Sequence, residues 1–458
     1  MGQLHAHQSC TAVYRQSLTA MAQAFSRAPT YFLRDRKLGP LQVLLTMQAA
    51  HCGGPSCGAQ SWEDALASLA ATCDGDPEWG KRFAVSCAAF HKAVKKVSVE
   101  DQDKLWEMCL EIFPSGLGSK LVELHGKRFA HVDGSQVRVP RSDELVKVVG
   151  LQTNGPNASS HYPSAKSVLV LEAGTQRILG HELCRCKAVG KDQTSVLARE
   201  ERGGWRRLRD KTLENHAIIA DSGFASHEDF VEMNAHGKDF IIAIPKAWKI
   251  VRAFRNMKKS DAVISIPLPR DAKRTLTLRI FTIKDGEGKV RYIATNLKDP
   301  FTLSDLRRLY KTRWSIEIWF RYAKEFLAMR RLRSRTLHGV RIEMLAILTL
   351  MQAVAALRTR ISQQCNTIKD ILCSLKNGFR KAKFRSALKA TWILTRTALV
   401  EPEKKEPCQM FIRLISKLFL YRPRRRYPRV SHDPSGAYVA KRPSRTERKH
   451  MKNKGIAP

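Results

Sequence analysis

The chain has 458 residues, with 80 Lys plus Arg against 42 Asp plus Glu, and so a formal charge of +38 at pH 7. With 43% hydrophobic and 27% charged residues it can bury a sizeable core, which excludes a disordered tail protein or a fibre. The longest nearly apolar stretch, Met344 to Leu357, carries Gln352 and is too short to cross a bilayer, and the first residues lack the apolar core of a secretory signal.

A cytoplasmic protein of about two to four domains is therefore expected. The 11 cysteines are scattered, the usage of a reducing compartment. His51-Cys52 with Cys57 and Cys73 comes closest to a metal pattern, but it lacks a second matched pair and reads as a Gly-Pro loop that contains cysteines.

In chain order, residues 1–126 read as short helices. Leu38 to Ala50 is the first, Ser61-Trp-Glu-Asp64 is a capping box opening the second, and Arg82 to Val97 is another. Strands are then predicted at Phe129 to Val132, Val137 to Val139, Ser167 to Leu171 and Ile178 to Leu183, with a turn at Gly174. A helix over Asp192 to Glu214, a buried strand over Ala217 to Ala220, a helix over Ser226 to Ala235 and a strand over Phe240 to Ile244 follow. Strands in a meander, then alternating with helices, describe a mixed sheet in an α/β domain. Trp248 to Asn296 reads as a β-rich insert. A second capping box, Thr302-Leu-Ser-Asp305, opens a helix expected to run through Arg330, and Arg341 to Ile361 is a further long helix.

The charge is unevenly placed. Met1 to Gly126 holds 12 basic and 12 acidic residues, so the whole excess lies beyond it. Leu306 to Arg341 holds 11 Lys or Arg against Glu317 and Glu325, and Tyr421 to Pro458 holds 12 against Asp433 and Glu447. Blocks of this kind mark polyanion-binding surfaces, because each cation that neutralises a phosphate releases a counterion. Nucleic acid is the expected partner.

Three carboxylates stand out. Asp133 is expected to end the strand Phe129 to Val132, and Asp221 the strand Ala217 to Ala220, each with a glycine within two residues to turn the chain. Both would then lie at the C-terminal edge of the sheet, where open sheets gather ligands. The third is on the helix after the insert. At about 100° per residue, Tyr310, Arg313, Glu317 and Lys324 share one sector about 60° wide, on a helix otherwise flanked by Ile316, Phe320 and Leu327. Such a polar stripe is either an internal ladder of ion pairs or a metal ligand flanked by phosphate-binding donors.

The spacing Tyr310-x2-Arg313-x3-Glu317-x6-Lys324 is the YREK signature, and over most of its length the chain resembles bacterial insertion-sequence transposases of the DDE class. Val132-Asp-Gly-Ser135, Ala220-Asp-Ser-Gly-Phe224 and Thr295-Asn-Leu297 extend the resemblance. It implies an RNase H-like mixed-sheet core over residues 127–245 and 303–360, interrupted by a β-strand insertion over 246–302. A helical N-terminal DNA-binding domain would occupy 1–126, and a helical region with a basic tail 361–458. By the same resemblance Asp133, Asp221 and Glu317 bind two Mg²⁺ ions, with Mn²⁺ as substitute, hard cations that carboxylate oxygens suit. Two such ions stabilise the attacking and leaving oxygens of an in-line displacement. Tyr310, Arg313 and Lys324 would hold DNA phosphates. The implied partners are double-stranded DNA, both terminal inverted repeats and target, and a second copy of the chain. Trp248 and Tyr292 are candidates for stacking a flipped base but read more simply as core. The competing interpretation is a decayed or non-catalytic descendant that binds DNA without cutting it.

Overall fold

A computed structural model describes residues 38–52, 60–72, 81–113, 123–155, 158–185, 201–212, 216–268, 271–284, 288–364 and 388. The expected basic tail, the Cys57 and Cys73 loop and the start of the Asp192 to Glu214 helix lie outside these residues.

The N-terminal part is helical: α1 (Pro40–Cys52), α2 (Trp62–Thr72), α3 (Cys87–Val94) and α4 (Val99–Glu111). Every residue of α1 is buried. A helix apolar on all sides can only be the centre of a layer, and α1 is enclosed by α2, α3 and the long C-terminal helix. Ser61 caps α2 by accepting from the Asp64 amide at 3.0 Å, and Ser98 and Asp101 form a reciprocal capping box on α4.

The sheet follows as β1 (Glu123–Leu124), β2 (Lys127–Arg138), β3 (Leu151–Gly155), β4 (Ala158–Glu172), β5 (Ile178–Arg185), β6 (His216–Ala220), β7 (Phe240–Ile244), β8 (Asp261–Leu268), β9 (Asp271–Lys284) and β10 (Val290–Thr295). Its main order is β5-β4-β2-β6-β7-β10-β9-β8, with β3 beside the first half of β4 and β1 folded onto β2. β2, β6 and β7 run parallel to one another; every other pairing is antiparallel. The β-rich segment therefore adds its strands to the edge of the main sheet through β10, rather than forming a sheet of its own.

Helices cover both faces. The short α5 (Asp143–Val149) joins β2 to β3, and α6 (Glu201–Thr212), α7 (His227–Ala235) and α8 (Lys249–Asn256) bury Trp205, Phe230 and Phe254 on one face. The opposite face carries α9 (Leu303–Thr312), α10 (Trp314–Phe326) and α11 (Leu337–Gln364). There α11 and the N-terminal helices share one continuous core with Val137, Leu169, Leu171 and Leu183 of the sheet. The stretch Leu337–Ala356 of α11 is long and apolar enough to cross a membrane, but 94% of its apolar window is buried inside the fold. His51 and Glu343 join the layers: His51 bonds the Leu327 carbonyl at 2.7 Å and Glu343 at 2.9 Å, and Glu343 also accepts from the Arg333 and Ser334 amides. This structural role, with Cys52 buried beside it, accounts for His51 without a metal.

Two expectations are corrected. Phe129 to Val132 and Val137 to Val139 are not separate strands: β2 runs unbroken from Lys127 to Arg138, and Asp133 lies in mid-strand opposite Leu169. Gly134 is no turn; it pairs with Val168 because β4 is long enough to continue the ladder past the point where β6 stops. The helix opened by the Thr302 and Asp305 capping box does not reach Arg330. It is broken at Arg313 and ends at Phe326, after which Ala328 adopts a left-handed φ of 50°.

Candidate active site

The register of three strands builds the site. β2 and β6 are parallel, and their last paired residues are Val132 and Ala220. The next residue of each is an aspartate, so Asp133 and Asp221 stand side by side where β6 ends. Asp221 stops its strand by capping a 3₁₀ turn, Ser222–Phe224, its Oδ1 accepting from the Gly223 amide at 2.8 Å. Asp133 stays in its strand, its Oδ1 accepting from the Gly134 amide at 2.8 Å. The Asp133 carboxyl is pushed up to about 7 by burial first and then by the neighbouring Asp221 charge, with Glu201 adding to the effect; the Gly134 amide and Arg313 oppose it. Two carboxylates sharing a partly buried position are the arrangement that calls for a cation.

The α9–α10 segment brings the remaining expected residues to the same place. Tyr310 is buried, and its hydroxyl has no hydrogen-bond partner among the described residues. Arg313 sits at the break between the helices, its guanidinium 2.6 Å from Glu317 and 6.0 Å from the centre of each of the Tyr310 and Trp314 rings. Lys324 has no ion pair among the described residues, so the ladder interpretation stops at Arg313 and Glu317. Burial lowers the Lys324 ammonium, helped by the positive Arg330 and Lys166 and opposed by Asp133. Tyr310 is raised by burial, with Asp221 contributing in the same direction. The mutual influence of Asp133 with Asp221, Arg313 and Lys324, and of Tyr310 with Asp221, places five of the six expected residues in one electrostatic neighbourhood, and the sixth, Glu317, joins through Arg313.

His131 with Thr312 and Ser315, and Glu201 with Lys166, complete the surroundings, and none carried a signal in the sequence beyond its type. His131, two residues before Asp133 and fully buried, bonds Thr312 through Nε2 at 2.8 Å and Ser315 through Nδ1 at 3.1 Å. Thr312 donates its own hydroxyl proton to the Leu309 carbonyl, so Nε2 is the donor and Nδ1 accepts from Ser315. Burial holds His131 down at about 3, reinforced by Arg313, so the neutral ring pins the helix break onto the strand that carries Asp133. Glu201, at the start of α6, pairs with Lys166 of β4 at 2.9 Å. Its carboxylate lies so close to Gly134 that a Cβ there would come within 1.9 Å of it. A side chain at position 134 would therefore displace the Glu201 carboxylate from its place beside Asp133.

Among the described residues no group of three His, Cys, Asp or Glu side chains converges closely enough to hold an ion. Asp133 and Asp221 offer paired hard oxygens with unbalanced charge, while the Glu317 carboxylate is turned onto Arg313. The two aromatic candidates lie elsewhere. Tyr292 is buried on β10 and accepts from Arg255 at 2.9 Å, and Trp248 stacks on His227 with ring centres 3.8 Å apart.

Residues 125–352 match the family model of the transposase DDE domain. A relative from Sinorhizobium fredii (strain NBRC 101917 / NGR234), "Putative transposase y4zB", is 27% identical over 168 residues, 34% of this chain and 46% of its own length. The chain thus spans less than half of that relative. Among solved structures, a piggyBac transposase synaptic complex with hairpin DNA aligns over 89% of this chain and 90% of its own at 9% identity, with a TM-score of 0.42. Ciona intestinalis Endonuclease V in complex with inosine-containing DNA aligns over 47% of this chain and 89% of its own at 11% identity, with a TM-score of 0.22. Asp133, Asp221 and Glu317 all fall inside the matched span, as does nearly the whole mixed sheet, so just under half of the chain, residues 125–352, is similar to the transposase DDE domain.

Proposed function

We propose that the protein is an insertion-sequence DNA transposase of the YREK subgroup that cuts at the ends of its element and joins them to target DNA. The observation that carries this reading is the pair Asp133 and Asp221, set abreast by strand register and faced by the helix that bears Glu317. An RNase H-like core is supported by the order β5-β4-β2-β6-β7, in which only β4 opposes its neighbours.

In this proposal Asp133 and Asp221 would hold divalent metal, and Glu317, now paired with Arg313, would be the third carboxylate. The metal, Mg²⁺ or in its place Mn²⁺, would supply charge stabilisation to the attacking and leaving oxygens of an in-line displacement. Arg313 offers a forked donor to a phosphate of the bound strand, and Lys324 a mobile charge on the other side of Glu317. The buried Tyr310 beside Arg313 faces the same phosphates, its hydroxyl free of a close hydrogen bond among the described residues. His131, through Thr312 and Ser315, keeps the Arg313 break at a fixed height above Asp133, which matters because in-line attack fails on small misplacements. Water is the first nucleophile, releasing a 3′ hydroxyl at the element's end; that hydroxyl then attacks a target phosphodiester and expels a target 3′ oxygen. No covalent enzyme intermediate is required. Two copies of the chain on paired ends complete the assembly.

The test is cleavage of duplex carrying the element's terminal repeat. Asp133→Ala, Asp221→Ala and Glu317→Ala should each abolish nicking in Mg²⁺ while leaving affinity for that duplex within severalfold of the parent, since affinity comes mainly from the basic surface. Nicking at the parental rate by any one of them removes that residue from the site.

A further inference from the structure

The strand insertion carries a basic ridge that the carboxylate site does not use. Between Pro245 and Ser260 the chain has six Lys or Arg and no Asp or Glu. Helix α8 turns Ile250, Val251 and Phe254 inward onto the sheet. Lys246, Lys249, Arg252, Lys258 and Lys259 are left exposed, and none of the five has an ion pair or side-chain hydrogen bond among the described residues. Arg255 alone is engaged, with Tyr292. The nearest acid, Asp261, is taken up at both oxygens by Arg279, at 3.0 and 2.7 Å.

Local helix stability does not account for all of these cations. Lys249 opens α8, whose first turn has no acid, although positive charge at a helix N-terminus opposes the macrodipole. Lys258 takes a left-handed φ of 52° just past the helix, a position that favours glycine. Lys249 is thus placed against the macrodipole, whereas Lys258 lies at the end of the helix that favours a cation.

We infer that the face formed by Lys246, Lys249, Arg252, Lys258 and Lys259 is a docking surface for the phosphate backbone of duplex DNA. This rests on the transposase reading above and adds to it a contact on the insertion. Helix α8 has eight residues and so spans about 12 Å, and duplex DNA presents a charge every ~1.7 Å of axis, dense enough to meet cations spaced along and beside it. A membrane surface fits poorly, because an interfacial helix needs its apolar face outward and α8 has buried it. Trp248 and Pro245, at the start of the ridge, also line a cavity of about 850 Å³ whose wall includes Ser222, the residue after Asp221.

The test uses the full chain, in chelator so that nothing is cut. In the variant Lys246→Gln, Lys249→Gln, Arg252→Gln, Lys258→Gln, Lys259→Gln, the slope of log affinity for mixed-sequence duplex against log salt should flatten by about 4 to 5. The fall in affinity between about 50 and 200 mM salt should shrink roughly 500-fold. Lys249→Gln with Arg252→Gln alone should flatten the slope by about 2, which keeps the inference testable if the larger variant folds poorly. An unchanged slope overturns it, as does an equal or larger loss of binding to phosphatidylserine vesicles or to polyglutamate. Cleavage by Asp133→Ala bears separately on the carboxylate reading: an unchanged slope with cleavage still dependent on Asp133 refutes the ridge alone.

Discussion

Replacing Asp133 by Asn tests whether Asp133 and Asp221, side by side where β6 ends, form an uncompensated anionic pair. Asn keeps the shape and can still accept from the Gly134 amide, but it cannot carry charge. In the native chain burial and Asp221 raise this carboxyl from 3.8 to about 7. A carboxyl raised in the folded state contributes stability that is complete below its unfolded value and is lost as pH rises through its folded value. From pH ~4 to ~7 the unfolded chain has released the proton and the folded chain retains it, so stability should fall by about 1.4 kcal/mol per unit, near 4 kcal/mol in all. For a fold of this size that is a loss of roughly 4–6 °C in melting temperature. Thermal melts in chelator at several pH values should therefore show Asp133→Asn matching the parent at pH ~4 and exceeding it by that margin at pH ~8. Adding Mg²⁺ at the higher pH should restore the parent and leave the Asn variant unmoved. Parallel pH curves, or an equal Mg²⁺ response in both proteins, would refute the reasoning.

Lys324→Met should leave the melting temperature nearly unchanged, because Lys324 has no ion pair to lose, yet weaken binding to pre-cleaved end DNA and slow the later steps. Arg313→Met should act in the same direction more severely, since a forked donor engages phosphate through two bonds; parental kinetics in both would remove the phosphate role. His131→Phe should cost about 2–4 kcal/mol in urea unfolding, because it leaves Thr312 and Ser315 without their buried partner. It should also lower cleavage more than Mg²⁺ affinity, and a wild-type cleavage rate would show that the helix break needs no such pin. His51→Ala strips a partner from the fully buried Glu343. Burial alone would raise that carboxyl, but His51 and the Ser334 and Arg333 amides outweigh it and hold it below the usual range. A loss of about 3–5 kcal/mol is expected, and a change within 1 kcal/mol would mean that α1 is held by apolar contact alone.

Much of the architecture was legible in the chain itself. Short continuous apolar runs located the strands at Ser167 to Leu171, Ala217 to Ala220 and Phe240 to Ile244, and the Thr302 and Asp305 box located the start of α9, because local patterns of this kind depend only on near neighbours. The spacing of Tyr310, Arg313, Glu317 and Lys324 likewise picked out four polar residues of one segment, but not a single helical face: the break at Arg313 leaves Tyr310 on α9 and Glu317 and Lys324 on α10. Pairing could not be read in this way. Whether Asp133 ends a strand or sits within one depends on how far β4 extends beside β2, and residues 158–172 lie well downstream. The same holds for Glu201 against Gly134, for His131 beneath Thr312 and Ser315, and for the orientation of Glu317 toward Arg313 rather than toward the two aspartates. Each depends on a contact between segments far apart in sequence, so residue type and spacing supplied the candidate groups, whereas strand register and side-chain packing decided which of them share a neighbourhood and which way each one faces.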